Sequence, residues 1–289
     1  MQSKKINVLS LFDGVSCGRI ALERAGIEVD NYFSSEIDPY AIKIANKNYP
    51  QDEGNRLGNI LEVKASNLPK IDLLIGGSPC QGFSFAGKQL NFEDERSKLF
   101  FEYVRLLKEC KPKYFLLENV KMKKEYEQVI SDLLGVEPIL INSSVVSAGS
   151  RPRLYWTNIP YTEINKKEIS LNDILIDGYS NRDKSHCIDA NYGRGTNLRR
   201  YLYRGSRQVI FTDKEFMKKL LDNKPSIEEC NTIGNENKDK WRKLLPIECE
   251  RVQTVPDNYT EGVPDFWRYH MIGNGWTVDV IAHIFKGLK

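Results

Sequence analysis

The pattern of apolar and polar residues divides the chain into two halves. In the first half, short apolar runs alternate with segments in which apolar residues recur at helical spacing. Such alternation predicts strands that are separated by amphipathic helices. The predicted strands are "INVLSL", "NYFSSE", "IDLLIG", "KYFLLE", "EPILINSSVV" and "RLYWTNI"; the predicted helices are "CGRIALERAG", "PYAIKIANKN", "KLFFEYVRLLKEC" and "KEYEQVISDLLG". This order favours an α/β domain with a mostly parallel sheet and helices on both faces.

The pattern weakens after Pro160. From residue 161 to about residue 239, polar residues dominate, turn residues recur, and too few apolar residues are present for a large core. We therefore expect a small irregular domain or insertion in this part of the chain. The closing stretch "TVDVIAHIFKGL" predicts an amphipathic helix that docks back onto the first domain, with four apolar residues on one face: Val278, Ile281, Ala282 and Phe285.

Composition excludes several classes of protein. The chain has 289 residues, of which 40% are hydrophobic and 28% charged, as in ordinary globular proteins. No apolar run approaches the roughly 20 residues that span a bilayer, and the N-terminal "MQSKKINVLS" passes straight into a strand pattern, which argues against a signal peptide. The six cysteines form no CxxC pair and the three histidines are far apart. We therefore expect reduced cytosolic thiols and no metal site.

The net charge of +3 is small, but positive charge is concentrated in one segment. Between Gly178 and Ile210 the acidic residues are Asp183 and Asp189, whereas the basic residues are Arg182, Lys184, Arg194, Arg199, Arg200, Arg204 and Arg207. Tyrosines and glycines are interleaved with them. An arginine-rich segment of this kind is suited to contacts with nucleic-acid phosphates and base edges. A solvated loop with incidental charge is the alternative interpretation.

Groups that could carry chemistry follow four of the predicted strands. "LFDG" follows the first strand, Glu36 ends the second, Pro79 and Cys80 follow "IDLLIG", and Glu118 with Asn119 ends "KYFLLE". Right-handed crossovers bring the carboxyl ends of parallel strands to one edge of a sheet, where ligands bind in open α/β folds. The sequence therefore predicts a site at this edge.

The first two strands predict a nucleotide-type ligand. Gly14 and Gly18 permit a tight turn into a helix whose backbone N–H groups can face a ligand. The turn lacks the GxGxxG pattern, and by itself is a weak signal. Glu36 stands where a ribose-binding carboxylate is found in such sites, although a carboxylate that ends a strand is often only solvated. Together the two features favour a cofactor that carries a ribose.

Cys80 and Glu118 suggest covalent and acid–base chemistry. A free cysteine is most often a buried structural residue. Cys80, however, lies between a proline and the long polar run "QGFSFAGKQLNFEDERSK", where a thiol can act as a nucleophile. Glu118 follows an apolar run and should be partly buried, which suits it to donate a proton.

These residues resemble the motifs of DNA (cytosine-5)-methyltransferases of the bacterial and bacteriophage type. "LFDGVSCG" and "SEID" are similar to the first two cofactor motifs, "GGSPCQGFSFAG" to the catalytic loop and "LLENV" to the glutamate motif. "SRPRLYW" resembles the arginine motif, "RKLLPIECERVQTVPDNY" the motif before the last helix, and "IGNGWTVDVIAHI" the closing motif. The blocks occur in family order along nearly the whole chain. The catalytic-loop, glutamate and arginine blocks together make a highly specific combination.

The resemblance implies a Rossmann-like fold of the class I S-adenosylmethionine-dependent methyltransferases, with a small irregular target-recognition domain. It divides the chain into a catalytic and cofactor-binding domain at 1–160, a target-recognition domain with connecting segments at 161–269, and a C-terminal helix at 270–289 that returns to the catalytic domain. The basic segment lies within the implied target-recognition domain, which favours the nucleic-acid interpretation of that segment over a solvated loop.

The resemblance also implies a reaction. The methyl group of S-adenosyl-L-methionine would pass to C5 of a cytosine flipped out of a specific double-stranded DNA sequence, leaving S-adenosyl-L-homocysteine. Cys80 would attack C6, Glu118 would act at N3, and Arg153 with Arg151 beside it would hold the cytosine O2 and the glutamate. Asn119 would brace the catalytic loop.

The family motifs and the basic segment together predict two further sets of site residues, one for the cofactor and one for DNA. The implied cofactor pocket is lined by Phe12, Gly14, Glu36, Ile37, Asn59, Ile60, Pro79, Leu99 and Asn274. The expected DNA-binding residues are Gln81, Ser84, Lys88, Arg194, Arg199, Arg200, Arg204 and Arg207.

The chain departs from the family pattern at three places. Val15, Ser16 and Cys17 stand where many members have more glycine. Asn59 replaces an aspartate that usually meets the adenine amine; its amide can accept the same hydrogen bond, but without charge. Trp276 replaces a serine in the closing motif.

Three other functions compete with DNA methylation. RNA cytosine-5 methyltransferases share the fold and motifs, although "PCQGFSFAG" favours DNA. A non-catalytic DNA-binding regulator would not be expected to keep Cys80, Glu118, Arg151 and Arg153 together. A small-molecule oxidoreductase would be expected to show GxGxxG. We expect a monomer; the sequence leaves open the target site and whether a cognate restriction endonuclease accompanies the enzyme.

Overall fold

The computed structural model describes residues 5–79 and 95–288. The chain divides into two compact units. The first comprises Met1–Asn142, Pro152–Glu163 and Val278–Lys289, and the second comprises Ser143–Arg151 and Ile164–Thr277. The unit boundaries differ from the predicted divisions at 160 and 269 in three segments, since residues 143–151 and 270–277 belong to the second unit and residues 161–163 belong to the first.

A six-stranded sheet forms the centre of the first unit. Its strands are β1 (Ile6–Leu11), β2 (Val29–Ser35), β3 (Leu73–Gly76), β4 (Tyr114–Val120), β5 (Ile139–Asn142) and β6 (Pro152–Thr157). Their order across the sheet is β2-β1-β3-β4-β6-β5. The pairs β1–β2, β1–β3 and β3–β4 are parallel, whereas β6 is antiparallel to both β4 and β5. The predicted α/β class and mostly parallel sheet are confirmed.

The reversal at β6 follows from the short connection that precedes it. Parallel neighbours require a crossover of a dozen or more residues, usually a helix. The link between Asn142 and Pro152 holds a 3-10 turn at Ser143–Val145 and no α-helix. The chain therefore returns beside β5 in the opposite direction.

Four helices follow the first strands at nearly the predicted bounds: α1 (Cys17–Ala25), α2 (Pro39–Asn48), α3 (Glu95–Cys110) and α4 (Lys124–Leu134). Helix α1 ends at Gly26, whose φ of 68° is the left-handed conformation that glycine adopts readily at a helix end. Helix α2 starts at Pro39 after Asp38, whose side chain accepts hydrogen bonds from the first-turn amides. Apolar residues of β1, β3 and β4 pack with Phe100 and Tyr103 of α3 in one buried cluster.

The second unit has short helices around two smaller apolar clusters. Its helices are α5 (Leu198–Arg204), α6 (Lys214–Asn223), α7 (Glu229–Glu236), α8 (Pro246–Val252) and α9 (Asp265–Asn274), and β7 (Ile210–Phe211) pairs with β8 (Trp241–Arg242) in an antiparallel ladder. One cluster includes Tyr192, Leu244 and Tyr269, and the other includes Leu198 and Phe211. Helices α5 to α7 lie where the sequence predicted irregular structure, because short polar helices leave little periodic signal.

The last helix, α10 (Val278–Phe285), belongs to the first unit and packs against α1. Arg24 of α1 pairs with Asp279 of α10 at 2.7 Å. Within the described residues, no helix is both long and apolar enough to cross a membrane.

Candidate active site

The strand order creates a crevice at the carboxyl edge of the sheet. The chain passes from β1 to β2 on one side and later returns to β3 on the other side of β1. Loops that leave β1 and β3 therefore diverge at this edge, and ligands bind at such a switch point. Residues 12–16 follow β1, and residues 77–79 follow β3.

The loop after β1 has a strained backbone. Phe12, Gly14 and Ser16 have φ values of 57°, 56° and 62°. A left-handed conformation costs roughly 1–3 kcal/mol at a non-glycine residue, so the surrounding structure must hold Phe12 and Ser16 in place. This tight turn aims the Gly14 amide toward Glu36, at the end of β2.

The buried carboxylate of Asp13 forms hydrogen bonds within the loop and to the strands next to it. Hydroxyl groups of Ser10 and Tyr32 donate to Oδ1 at 2.6 Å each, and Ser16 donates to Oδ2 at 2.6 Å. Arg56 Nη1 lies 3.2 Å from Oδ2. Burial raises the pKa of Asp13, whereas the three hydroxyl donors and the arginine charge act in the opposite direction. This cluster was not predicted from the sequence, although polar Asp13 and Ser16 shortly after a mostly apolar strand were a usable signal.

Glu36 connects the first two motifs. Its Oε2 accepts a hydrogen bond from the Gly14 amide at 2.7 Å. Its Oε1 accepts from the amides of Ile37 and Asp38 at 2.8 and 2.9 Å. A carboxylate has about four acceptor positions, so Glu36 is oriented by the backbone and keeps capacity for a further donor.

The segment that carries Asn59 runs beside the end of β2. The Leu57 amide donates to Ser34 O at 2.7 Å, and Ser35 Oγ donates to Gly58 O at 2.7 Å. Asn59 therefore follows directly on a residue that contacts Ser35, the neighbour of Glu36 in the chain. Its Oδ1 accepts from the Leu61 amide at 3.1 Å and caps the short 3-10 helix Ile60–Glu62.

The other predicted cofactor residues differ in their exposure to solvent. Ile37 is 72% exposed, whereas Ile60 is only 4% exposed and lies in the core, with its neighbour Leu61 57% exposed instead. Phe12 and Leu99 are partly buried against the core cluster. Pro79 is exposed at the end of the described range.

Asn274 belongs to the second unit, at the end of α9. Its Nδ2 lies 3.2 Å from His270 Nε2, and His270 Nδ1 lies 3.3 Å from Ala190 O. A carbonyl can only accept, so Nδ1 carries the proton. In the neutral ring Nε2 then accepts from the Asn274 amide, which fixes the orientation of that amide.

Glu118 and Arg153 form an ion pair on the face of two adjacent strands. Arg153 lies opposite Val120 in the β4–β6 ladder, so it is a diagonal neighbour of Glu118. Its Nε donates to Glu118 Oε1 at 2.9 Å, and its Nη1 donates to Pro152 O at 2.8 Å. Glu118 is 8% exposed. The structure therefore brings together two of the predicted catalytic residues.

The next residue of β4, Asn119, contacts the chain just before Cys80. Its Nδ2 lies 3.2 Å from Ser78 Oγ and 3.4 Å from Ser78 O, and all of these groups are buried. This contact fixes the end of the segment that leads into the proline–cysteine motif. The predicted nucleophile Cys80 and the predicted DNA-contacting residues Gln81, Ser84 and Lys88 lie outside the described residues.

Arg151 is directed to a different part of the chain. Its Nη1 donates to Ile188 O at 3.0 Å, and its Nη2 donates to Gly273 O at 3.1 Å and Gly275 O at 3.0 Å. Arg151 belongs to the second unit, whereas Arg153 belongs to the first. These hydrogen bonds make Arg151 a partner of the backbone carbonyls on either side of Asn274. Its role beside Arg153 in catalysis stays a prediction.

The predicted DNA-reading arginines fall into two groups. Arg199, Arg200 and Arg204 are exposed on the outer face of α5, whose inner face is held by buried Leu198 and Tyr201. Arg194 is also exposed.

Arg207 differs from these arginines. Its Nη1 pairs with Asp189 Oδ1 at 2.7 Å, and its φ of 64° is left-handed. Its side chain is only 12% exposed, so much of its guanidinium is occupied within the protein.

The sheet is doubly wound and has an oriented carboxylate, Glu36, at its switch point. A glutamate–arginine pair lies farther along the same edge. These features are typical of Rossmann-like enzymes that bind a nucleotide-type cofactor. Comparison with known proteins identifies the family. The family model "C-5 cytosine-specific DNA methylase" matches residues 6–134 and 148–289. The chain belongs to this family, and is therefore an enzyme that transfers methyl groups to cytosine in DNA.

Individual relatives agree with this assignment. The chain is 30% identical to the type II methyltransferase M1.ScrFI of Lactococcus lactis subsp. cremoris, over 98% of this chain and 78% of that protein. It is 28% identical to the type II methyltransferase M.NlaX of Neisseria lactamica, over 98% and 96% of the two chains. The fold is similar to that of a Spodoptera frugiperda DNMT2 mutant, with a TM-score of 0.75 and 20% identity over 98% of this chain and 99% of that chain.

Proposed function

We propose that the protein transfers a methyl group from S-adenosyl-L-methionine to C5 of a flipped-out cytosine in a specific double-stranded DNA sequence, through a covalent bond between Cys80 and C6. The observation that carries this proposal is the Glu118–Arg153 pair, held beside the Asn119–Ser78 contact that leads into Cys80. Both contacts lie on or directly after the neighbouring strands β3, β4 and β6, which supports a role for these residues in one reaction.

The residues at the switch point fit S-adenosyl-L-methionine. Glu36 presents an oriented carboxylate with remaining acceptor capacity, which suits a ribose hydroxyl. The exposed side chains of Ile37 and Leu61 offer apolar surface for an adenine ring. Asn59 precedes Leu61 by two residues in the chain. When bound, this cofactor supplies an electrophilic methyl group.

The chemistry of this chain would begin at C6 of the cytosine. Attack by the Cys80 thiolate gives C5 enamine character, which makes it able to accept a methyl group. Glu118 offsets the charge that develops by protonating or hydrogen bonding N3. Arg153 holds the Glu118 carboxylate, and its guanidinium would bind the cytosine O2. Loss of the C5 proton to a base or water then expels Cys80.

We propose that Arg151 positions the closing motif rather than the cytosine. Its hydrogen bonds to Gly273 O and Gly275 O bracket Asn274, which the motif assigns to the cofactor. Gly273 has no room for a side chain, because a Cβ would lie 2.2 Å from Asp189 C. This packing and Arg151 together hold Asn274 in a single backbone conformation.

The experiment that tests the proposal measures methyl transfer from radiolabelled S-adenosyl-L-methionine to double-stranded DNA, with tRNA as the alternative substrate. Glu118→Gln should lose most of its turnover, because an amide cannot donate the required proton. Glu127→Gln is a matched control, since Glu127 is 4% exposed and pairs with Lys124 on α4. The proposal would be contradicted if the radiolabelled methyl group appeared in tRNA and not in DNA. It would also be contradicted if Glu118→Gln methylated DNA at a rate close to that of Glu127→Gln.

A further inference from the structure

We infer that Arg56 and Asp13 are positioning residues for the cofactor: together they hold the loop after β1 in the conformation in which Gly14 and Glu36 can bind it. This inference rests on the proposed function. Neither residue was predicted to contact the cofactor, and Arg56 lies outside the family motifs of this sequence.

The loop depends on Asp13 for its shape. The Asp13 carboxylate accepts from Ser10 and Tyr32 on one oxygen and from Ser16 and Arg56 on the other. These four donors fill its acceptor positions. Ser16 is one of the two non-glycine residues in this loop that have positive φ, so its hydroxyl bond to Asp13 opposes relaxation of the strained turn.

Arg56 connects this loop with the two neighbouring segments of the site. Its Nη1 lies 2.6 Å from Ser34 Oγ on β2, 3.2 Å from Asp13 Oδ2 and 3.3 Å from Ser16 Oγ. Its Nε donates to Asn46 Oδ1 on α2 at 3.1 Å. The backbone of Arg56 also forms a bridge with Ser34.

These contacts predict a specific consequence for ligand binding. Arg56 begins the segment that leads to Asn59, and Ser34 precedes Glu36 by two residues. Removing Arg56 leaves Asp13 as a buried charge without its cationic partner. The loop then shifts and the Gly14 amide leaves Glu36, so cofactor affinity falls. The Glu118–Arg153 pair on β4 and β6 has no part in this network, so the rate at saturating cofactor should change little.

The test compares two buried arginine–carboxylate pairs of the first unit. In the pair Arg56–Asp13 the side chains are 12% and 1% exposed, and in the pair Arg19–Asp52 they are 13% and 9% exposed. Asp52→Asn therefore serves as a matched control for Asp13→Asn, because it removes a similarly buried charge that lies outside the loop network.

Binding of S-adenosyl-L-homocysteine is measured by isothermal titration calorimetry, with thermal unfolding of each variant and the kcat of DNA methylation at saturating cofactor. Asp13→Asn and Arg56→Met should each raise the Kd by on the order of tenfold, and the double variant should be no weaker than the worse single variant. The kcat should stay within about threefold of wild type. Asp52→Asn should lower the unfolding temperature to a similar extent and leave the Kd within about twofold.

Tyr32→Phe and Arg56→Lys keep the inference testable if the stronger variants do not fold. Tyr32→Phe removes one hydroxyl donor to Asp13 and keeps the ring. Arg56→Lys keeps the charge and should recover part of the affinity lost in Arg56→Met. An unchanged Kd in a folded Asp13 or Arg56 variant, or in Tyr32→Phe where those do not fold, would overturn the inference. An equal loss in Asp52→Asn would do the same. Failure of the wild-type protein to bind S-adenosyl-L-homocysteine would instead contradict the proposed function itself.

Discussion

Arg153 donates its Nε proton to Oε1 of Glu118 across two antiparallel strands, at 2.9 Å. Since β6 reverses direction beside β4, an arginine near the start of β6 faces a glutamate near the end of β4. The buried carboxylate thus has a fixed orientation before any substrate binds. Orientation of this kind lowers the reorganisation that the reaction requires.

Arg153→Ala should lower the kcat of methyl transfer by roughly 10²-fold, because it removes a charged donor and leaves Glu118 buried without its partner. Arg151→Ala should instead lower the unfolding temperature and weaken cofactor binding, since it removes three buried or partly buried hydrogen bonds to backbone carbonyls. Steady-state kinetics, calorimetric binding and thermal melts on both variants check the difference. If Arg151→Ala lost only kcat at normal stability and affinity, Arg151 would act in catalysis beside Arg153, as the sequence predicts.

Asn59→Asp should keep or improve cofactor affinity. A carboxylate can accept the adenine amine more strongly than an amide oxygen, and it can also keep the cap on the Leu61 amide. Calorimetric titration with S-adenosyl-L-homocysteine measures the effect. A marked loss of affinity in a folded variant would show that Asn59 does not meet the adenine.

Alanine substitutions at Arg194, Arg199, Arg200, Arg204 and Arg207 should separate phosphate contacts from base contacts. Substitutions at phosphate contacts should weaken binding to all DNA and reduce the salt dependence of binding. Substitutions at base contacts should relax sequence preference at single positions, with a loss of roughly 1–3 kcal/mol of discrimination for each base contact. Because Arg207 is paired with Asp189, we expect its loss to act mainly on the local structure. Methylation profiling on a randomised DNA library at two salt concentrations checks this.

The control for this series is Lys166→Ala, an exposed cation outside the segment between Gly178 and Ile210. It should change neither site preference nor salt slope by much. If all five arginine variants behaved like this control, the segment would not read DNA, and the specificity determinants would have to lie between Phe211 and Lys240.

Stability of the second unit should fall on mild acidification because of His186. Burial, with a smaller contribution from the charge of Arg182, lowers the pKa of His186 below its ordinary value of 6.5. The unfolded chain therefore binds a proton first as the pH falls, so stability decreases as the pH drops through the ordinary pKa toward the folded one. His186→Gln should reduce this slope in urea unfolding between about pH 7.5 and 5.5. Parallel pH profiles in the two proteins would count against this assignment.

Much of the fold and the site edge could be predicted because both follow from periodicity and strand order. Parallel strands place their carboxyl ends together, which is why Gly14 and Glu36 meet as expected. The hydrogen-bond partners of Arg151 could not be predicted, since the carbonyls that it binds lie far from it in sequence. The Asp13–Arg56 pair could not be predicted either, because two polar residues far apart in sequence leave no periodic signal.

The most direct test of the covalent mechanism uses double-stranded DNA with 5-fluorocytosine at the target position, S-adenosyl-L-methionine and the purified protein. Fluorine at C5 cannot leave as a proton does, so the enzyme should become trapped on the base. Peptide mass spectrometry should then find one adduct, on Cys80, which disappears in Cys80→Ala while DNA and cofactor binding remain. Absence of an adduct with an active enzyme, or an adduct on Cys17 or Cys110, would contradict the account.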